Sequence, residues 1–257
     1  MQLGNPMTRR LSKRFSGFET EENAGTATYA GVYTKSAVFA AITIVTALLT
    51  EFLTVWFLGY EALDRIFIAL LIATLVSFIP LIVMALIISF VPTTAKVLGF
   101  IYVIIEGGVL GLLALCVDYI LPGAAFAALA GTGLVLLASL IVNYVFKKRI
   151  SSAFVRGLIV ITVSLVVIQL AVWVISLFVP MLSGTYFWIQ LGISVLCIIW
   201  ATVMLFWDLS NIDSLVQTGA EKKYEWYAAF SLVTTLIYMY IEILELILRI
   251  AALFRRD

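Results

Sequence analysis

Residues 226–254 read WYAAFSLVTTLIYMYIEILELILRIAALF. A bilayer core about 30 Å thick takes about 20 apolar residues in a helix, so this run is long enough to cross it. Its charges are few: Glu242, Glu245 and Arg249. Six further runs of the same kind precede it. They are Ser36 to Leu58, Ile66 to Phe90, Leu98 to Val117, Ala124 to Phe146, Phe154 to Phe178, and Phe187 to at least Trp207. The connections are short and carry helix breakers: Val91-Pro92, Pro122-Gly123, Pro180 with Gly184, and Gly219. The pattern predicts an all-α polytopic membrane protein, a bundle of seven transmembrane helices. Pro80 lies inside the second run and should kink or split it, because it lacks a backbone donor.

Composition agrees with that reading. The chain has 257 residues, 63% apolar and only 12% charged, about half the charge of an ordinary soluble domain. There is no histidine. That excludes a Ser-His pair, a His-ligated zinc or haem and a phosphohistidine. Protons inside the membrane must then be handled by carboxylates, tyrosines, thiols or water. The net charge of +1 gives no argument for nucleic acid. Cys116 and Cys197 fall in apolar runs and read as small buried hydrophobes. Nothing in the pattern requires a cofactor. Residues 1–35 form a polar arm, and residues 36–257 the transmembrane domain. The arm has no short apolar core followed by a small-residue cleavage site, so no signal peptide is expected.

Lys and Arg set the expected orientation. The arm, the loops after spans two, four and six, and Arg156 carry 12 basic residues, whereas the opposite loops carry only Arg65. The N-terminus is therefore expected in the cytoplasm. Seven spans put the C-terminus outside with Arg249, Arg255 and Arg256, against the rule, and six spans with a re-entrant segment stay open. Trp56, Tyr60, Tyr119, Trp188, Trp226 and Tyr227 lie near span ends and read as an interfacial belt.

Five acids fall within the apolar runs: Glu51, Glu106, Asp208, Glu242 and Glu245. A charge at mid-membrane costs roughly 2.5–3.5 kcal/mol or more, which makes such residues functional candidates. At a rise of 1.5 Å per residue, Glu106 lies roughly 13 Å from the cytoplasmic end of its helix. Asp208 lies roughly 12 Å deep if its helix continues to about Val216. Glu51, at roughly 22 Å, and Glu242, at roughly 24 Å, form a second layer with Gln169. Asp208 could instead close its helix near water, with Asn211 and Asp213. Glu51 could be lifted to the outer head groups. Glu245 pairs with Arg249 at i+4, as ordinary helix-end charges do. Glu106 precedes Gly107 and Gly108, which let another helix or water approach its backbone. No Lys or Arg lies deep in any span. A carboxylate so placed must hold a proton or a cation, and close pairs titrate together. Protonated, it packs the bundle. Ionised, it repels its neighbours and admits water and cations. That is a gate in outline.

The order FWDLSNID at 206–213, then GAEKKYEWYAAFSLVTTLIYMYIEILELIL at 219–248, resembles the end of the Bax inhibitor / YccA-like (TMBIM) membrane proteins, in their bacterial branch. EGGVLG at 106–111 and TYAGVYTKS at 28–36 resemble further landmarks of that branch. The resemblance implies a seven-helix bundle with the last helix at its centre, in a bacterial plasma (inner) membrane. It implies a pH-sensitive Ca²⁺ leak, with one acid on helix six and one on helix seven as the sensor. Those acids map to Asp208 and to Glu242, where relatives usually have Asp, and place a possible Ca²⁺ near them.

The expected function is thus a pH-sensitive cation (Ca²⁺) leak gated by intramembrane carboxylates: Asp208, Glu242, Glu106 and Glu51, with Asp213, Glu245 and Gln169 secondary. The alternative is a non-transporting regulator that binds a membrane protease or another membrane protein partner, as some relatives do, through the polar arm. An intramembrane aspartic protease needs two acids a few Å apart, and the GxGD-type signature is absent, so no enzyme is expected. Transport of a small organic solute stays open: the usual paired broken helices are missing, though Pro80 is one candidate break.

Overall fold

A computed structural model describes residues 25–58, 63–146 and 185–254, together with residues 157, 161 and 164. Six long helices carry the described chain: α1 (Tyr29–Leu58), α2 (Leu63–Phe90), α3 (Ala95–Ile120), α4 (Ala124–Phe146), α5 (Thr185–Gln217) and α6 (Glu225–Phe254). Here α5 and α6 are the sixth and seventh predicted spans. All but α6 stand out as long and apolar enough to cross a membrane. The fold is that of an all-α polytopic membrane protein. The fifth predicted span, with Gln169, lies outside the described residues, as do residues 1–24 of the arm.

Among the described helices the last is the central one. It packs against α1, α3, α4 and α5, because it is apolar on several sides. Ala228, Leu232 and Met239 form one stripe and meet Ala201, Leu205, Leu209 and Ile212 of α5. On another side, Ala229, Phe230, Val233 and Ile237 meet Phe39 of α1 with Val103 and Leu110 of α3. Near its far end, Leu244 packs with Val117 and Ala128. Phe39, Phe100 and Trp226 stack as a triangle, with ring centroids 5.1–5.4 Å apart, joining α1, α3 and α6.

Helices α1 and α3 approach closely, and glycine makes it possible. A Cβ on Gly111 would overlap the Ala47 backbone, and one on Gly107 would overlap Thr46 and come within 2.7 Å of the Thr43 carbonyl. The two glycines are four apart, so both fall on one face. Gly108 meets only the Thr50 hydroxyl, at 3.6 Å. The close contact is therefore made by Gly107 and Gly111, rather than by the adjacent pair that the sequence suggests.

Two boundaries differ from expectation. First, α1 starts at Tyr29, seven residues before the predicted span, and residues before it are strapped to the α5–α6 connection. The Ala27 amide donates to the Ala220 carbonyl at 2.7 Å, and the Lys222 amide to the Gly25 carbonyl at 2.8 Å. The turn that presents Ala220 is a helix stop. Gly219 takes φ of 64°, and the amides of Gly219 and Ala220 close back on Val216 and Leu215 at 3.1 and 3.2 Å, a Schellman arrangement. Second, Pro80 does not split α2, which runs unbroken from Leu63 to Phe90. Transmembrane helices tolerate such a proline when neighbours satisfy the freed groups.

Candidate functional site

Asp208 lies one turn beyond Leu205 on α5, on the face that carries Leu205, Leu209 and Ile212 toward α6. The helix continues past it to Gln217, so the acid lies roughly 13 Å inside the helix end. It is buried, 2% exposed. Two hydroxyls of α6 reach it: Ser231 donates to Oδ1 at 2.6 Å, and Thr235 to Oδ2 at 2.5 Å. Ser231 and Thr235 are one turn apart, so their side chains share a face of α6. Other hydroxyls in these helices, such as Thr43, Thr132 and Thr202, bond a carbonyl one turn back in their own helix, the usual choice in an apolar setting. Ser231 and Thr235 turn away from their helix to bind Asp208. The acid is thus a polar tie between α5 and α6.

Glu242 is on the stripe of Ala228, Leu232, Thr235 and Met239, at the alternating 4-3 spacing that faces α5. It is 4% exposed, and its Oε2 has no hydrogen-bond partner among the described residues. Tyr238 and Cys197 lie beside it. Glu242 follows Thr235 by seven residues, so it sits roughly 10 Å further along the seam than Asp208. The two acids occupy different levels: Asp208 engages Ser231 and Thr235, while Glu242 faces Cys197.

Arg249 does more than close a helix end. Besides Glu245, at 2.8 Å, it bonds the Gln190 carbonyl and the Ser194 hydroxyl of α5. It also lies within electrostatic reach of Glu242. Glu242 therefore has a cation nearby, which corrects the expectation that the deep acids lack one. The spacing along the chain could not show that the arginine folds back toward α5.

The other candidates sit elsewhere. Glu106 is half-buried on α3 near Tyr102. No interaction among the described residues joins it to Asp208. Asp213, half-buried near the end of α5, accepts a hydrogen bond from Asn143 of α4 at 3.1 Å. Glu51 is half-buried on α1 and shares a groove of about 400 Å³ with Asp118 and Tyr240. Asp118 escaped the sequence reading because it falls one residue past the predicted third span.

A fully buried carboxylate, Glu225, also escaped it. Glu225 heads α6 with its side chain fully buried. It pairs with Lys35, which also lies over the Trp226 ring, and accepts the Thr28 amide at 2.8 Å and hydroxyl at 3.2 Å. The clasp joins α1 to α6 at the end where the strap lies. Read along the chain, Lys35 and Glu225 are ordinary charges flanking spans.

Among the described residues no group of three or more Cys, Asp or Glu side chains could hold a metal ion. A family model described as Bax inhibitor 1 like matches residues 5–252. No curated protein and no solved structure matches the chain significantly.

Proposed function

The chain belongs to the Bax inhibitor 1 like family of membrane proteins, and from that premise we propose that it is a pH-sensitive cation leak, with Ca²⁺ the expected cargo, gated by the Asp208 tie between α5 and α6. The observation that supports this most is the pair of hydroxyls on Asp208. Ionised, the carboxylate accepts both at once. Protonated, it loses the charge that strengthens both bonds, and at the oxygen that takes the proton the bond must reverse, the carboxyl O–H donating to the hydroxyl oxygen. Protonation therefore weakens the tie and loosens the seam. The sign is opposite to simple repulsion between ionised acids, because the neighbours of Asp208 are donors rather than like charges. Glu242, further along the seam, is the second carboxylate on the path. We read the protein as a non-enzyme of the bacterial inner membrane, with its N-terminus in the cytoplasm.

The test is Ca²⁺ flux into proteoliposomes between about pH 6 and 8, a window spanning the shifts that buried carboxylates show. Wild type should leak faster at the acid end. Asp208→Asn, which cannot ionise, should leak at the acid level throughout, and Glu242→Gln should slow the leak. Unchanged flux and pH dependence in both variants rule this reading out.

The second reading, a regulator that binds a membrane protein partner, draws on the strap. Residues 25–27 are fixed at the end of the bundle, so the arm that precedes them starts from a defined place. A partner that co-purifies with the full chain and is lost when residues 1–24 are deleted would favour it. A partner retained after that deletion counts against the arm.

A further inference from the structure

The groove that holds Glu51 and Asp118 has walls from α1 and α4 and a floor from α3 and α6. Along α1 it extends from Ala40 to Glu51, roughly 16 Å. Its floor is buried, at Leu110, Val233 and Ile237, while its walls are open at Leu48, Phe126 and Leu129, so among the described helices the groove opens sideways. Its volume of about 400 Å³ falls within the usual range for small-molecule sites.

The polar groups of the groove are sorted by position. Thr43 and Thr132, along its length, spend their hydroxyls on their own helices. The two carboxylates are together at one end, within electrostatic reach of each other and of Tyr240. Asp118 accepts the Ala125 amide at 3.0 Å through one oxygen. Glu51 has no hydrogen-bond or ion-pair partner among the described residues. Among the described residues no Lys or Arg lines the groove. Asp118 is two residues from the end of α3, and Glu51 seven from the end of α1. The charged end thus lies toward the head-group layer, and the apolar length runs inward.

We propose that this groove binds a membrane amphiphile with one cationic amine head and one apolar chain. The ammonium sits between Glu51 and Asp118, where it supplies the charge that both lack, and the chain lies along Leu48, Leu110, Leu129 and Ile237. That orientation is the one an amphiphile already has in a bilayer. Phosphate-bearing and anionic heads are rejected by the same two carboxylates. The site is separate from the Asp208 seam and does not depend on the leak.

The experiment is native mass spectrometry of the full chain in an uncharged detergent, titrated with dodecylamine, dodecanol or dodecanoate. One dodecylamine per chain should bind saturably, about tenfold or more tighter than either of the others, the factor expected of hydrogen bonds to a charged group. Glu51→Gln with Asp118→Asn should bring the amine down to the level of dodecanol. Leu129→Trp, which fills the groove, should weaken all three. The comparison of amine with alcohol needs no variant, so a folding defect does not obscure it. Equal binding of dodecanol and dodecylamine to wild type overturns the proposal, as does undiminished amine binding by the doubly substituted chain.

Discussion

At the scale of single residues, two of the buried carboxylates are held in different ways. Asp208 is held by neutral hydroxyls, and Glu225 by a cation. Removing the hydroxyls with Ser231→Ala and Thr235→Val should leave Asp208 buried without donors. A polar contact between transmembrane helices is worth about 0.6–2 kcal/mol, so each change should lower stability by an amount of that order, read as a lower melting temperature in detergent. Glu225 carries its own pH dependence. Burial pushes its carboxyl up, but the Lys35 ammonium and the Thr28 hydrogen bonds outweigh that and hold it below its ordinary value of 4.5. A depressed folded-state value gives stability that is present above the unfolded-state value and is lost as pH falls through the folded one. Wild type should therefore lose stability as pH drops below the ordinary carboxylate range, and Glu225→Gln should lack that share of the loss in a melting series from about pH 7 to 3. Lys35→Met leaves the charge buried without its cation, held only by Thr28, which costs about 3–5 kcal/mol. The sequence exposed Asp208 and Glu242 because acids stand out in apolar runs. It hid Lys35, Asp118 and Glu225, which sit where charge is expected. Their importance comes from neighbours far along the chain, such as Thr28 against Glu225.

At the scale of helices, the contact of α1 with α3 tests the packing account. Gly111→Ala pushes a methyl into the Ala47 backbone, and Gly107→Ala crowds Thr46 and the Thr43 carbonyl. Overpacking of this kind costs about 1–3 kcal/mol. Gly108→Ala meets only an ordinary contact with Thr50 and should change stability by less than about 0.5 kcal/mol. Melting curves of the three variants check the ranking, and equal effects would mean that α1 does not approach α3 as described. Helix extents were largely legible, since hydropathy and breakers mark them. The continuation of α5 past Trp207 followed from Leu209, Ile212 and Leu215. The early start of α1 did not, because Tyr29 to Lys35 is polar enough to read as arm. It becomes helical by docking on α6 through Glu225.

For the whole molecule, α6 is fastened to α1 and α5 at successive levels. The strap and the Glu225 clasp hold one end, Asp208 lies inward of it, Glu242 faces Cys197 further on, and Arg249 holds the other end through Gln190 and Ser194. The central place of the last helix, implied by the family resemblance, arises physically from apolar surface on several sides of α6. The pairing of α5 with α6 across Asp208 was not legible, because hydropathy along one chain does not say which hydroxyl meets which acid. The gating account requires that Asp208 take up a proton when the leak rises. Infrared spectroscopy of the reconstituted protein measures this directly, through the carbonyl stretch of a protonated carboxylic acid. The account predicts that this band grows in wild type over the same pH range in which Ca²⁺ flux rises, and that both changes are absent from Asp208→Asn. A flux that rises on acidification while the band from Asp208 stays absent would contradict it.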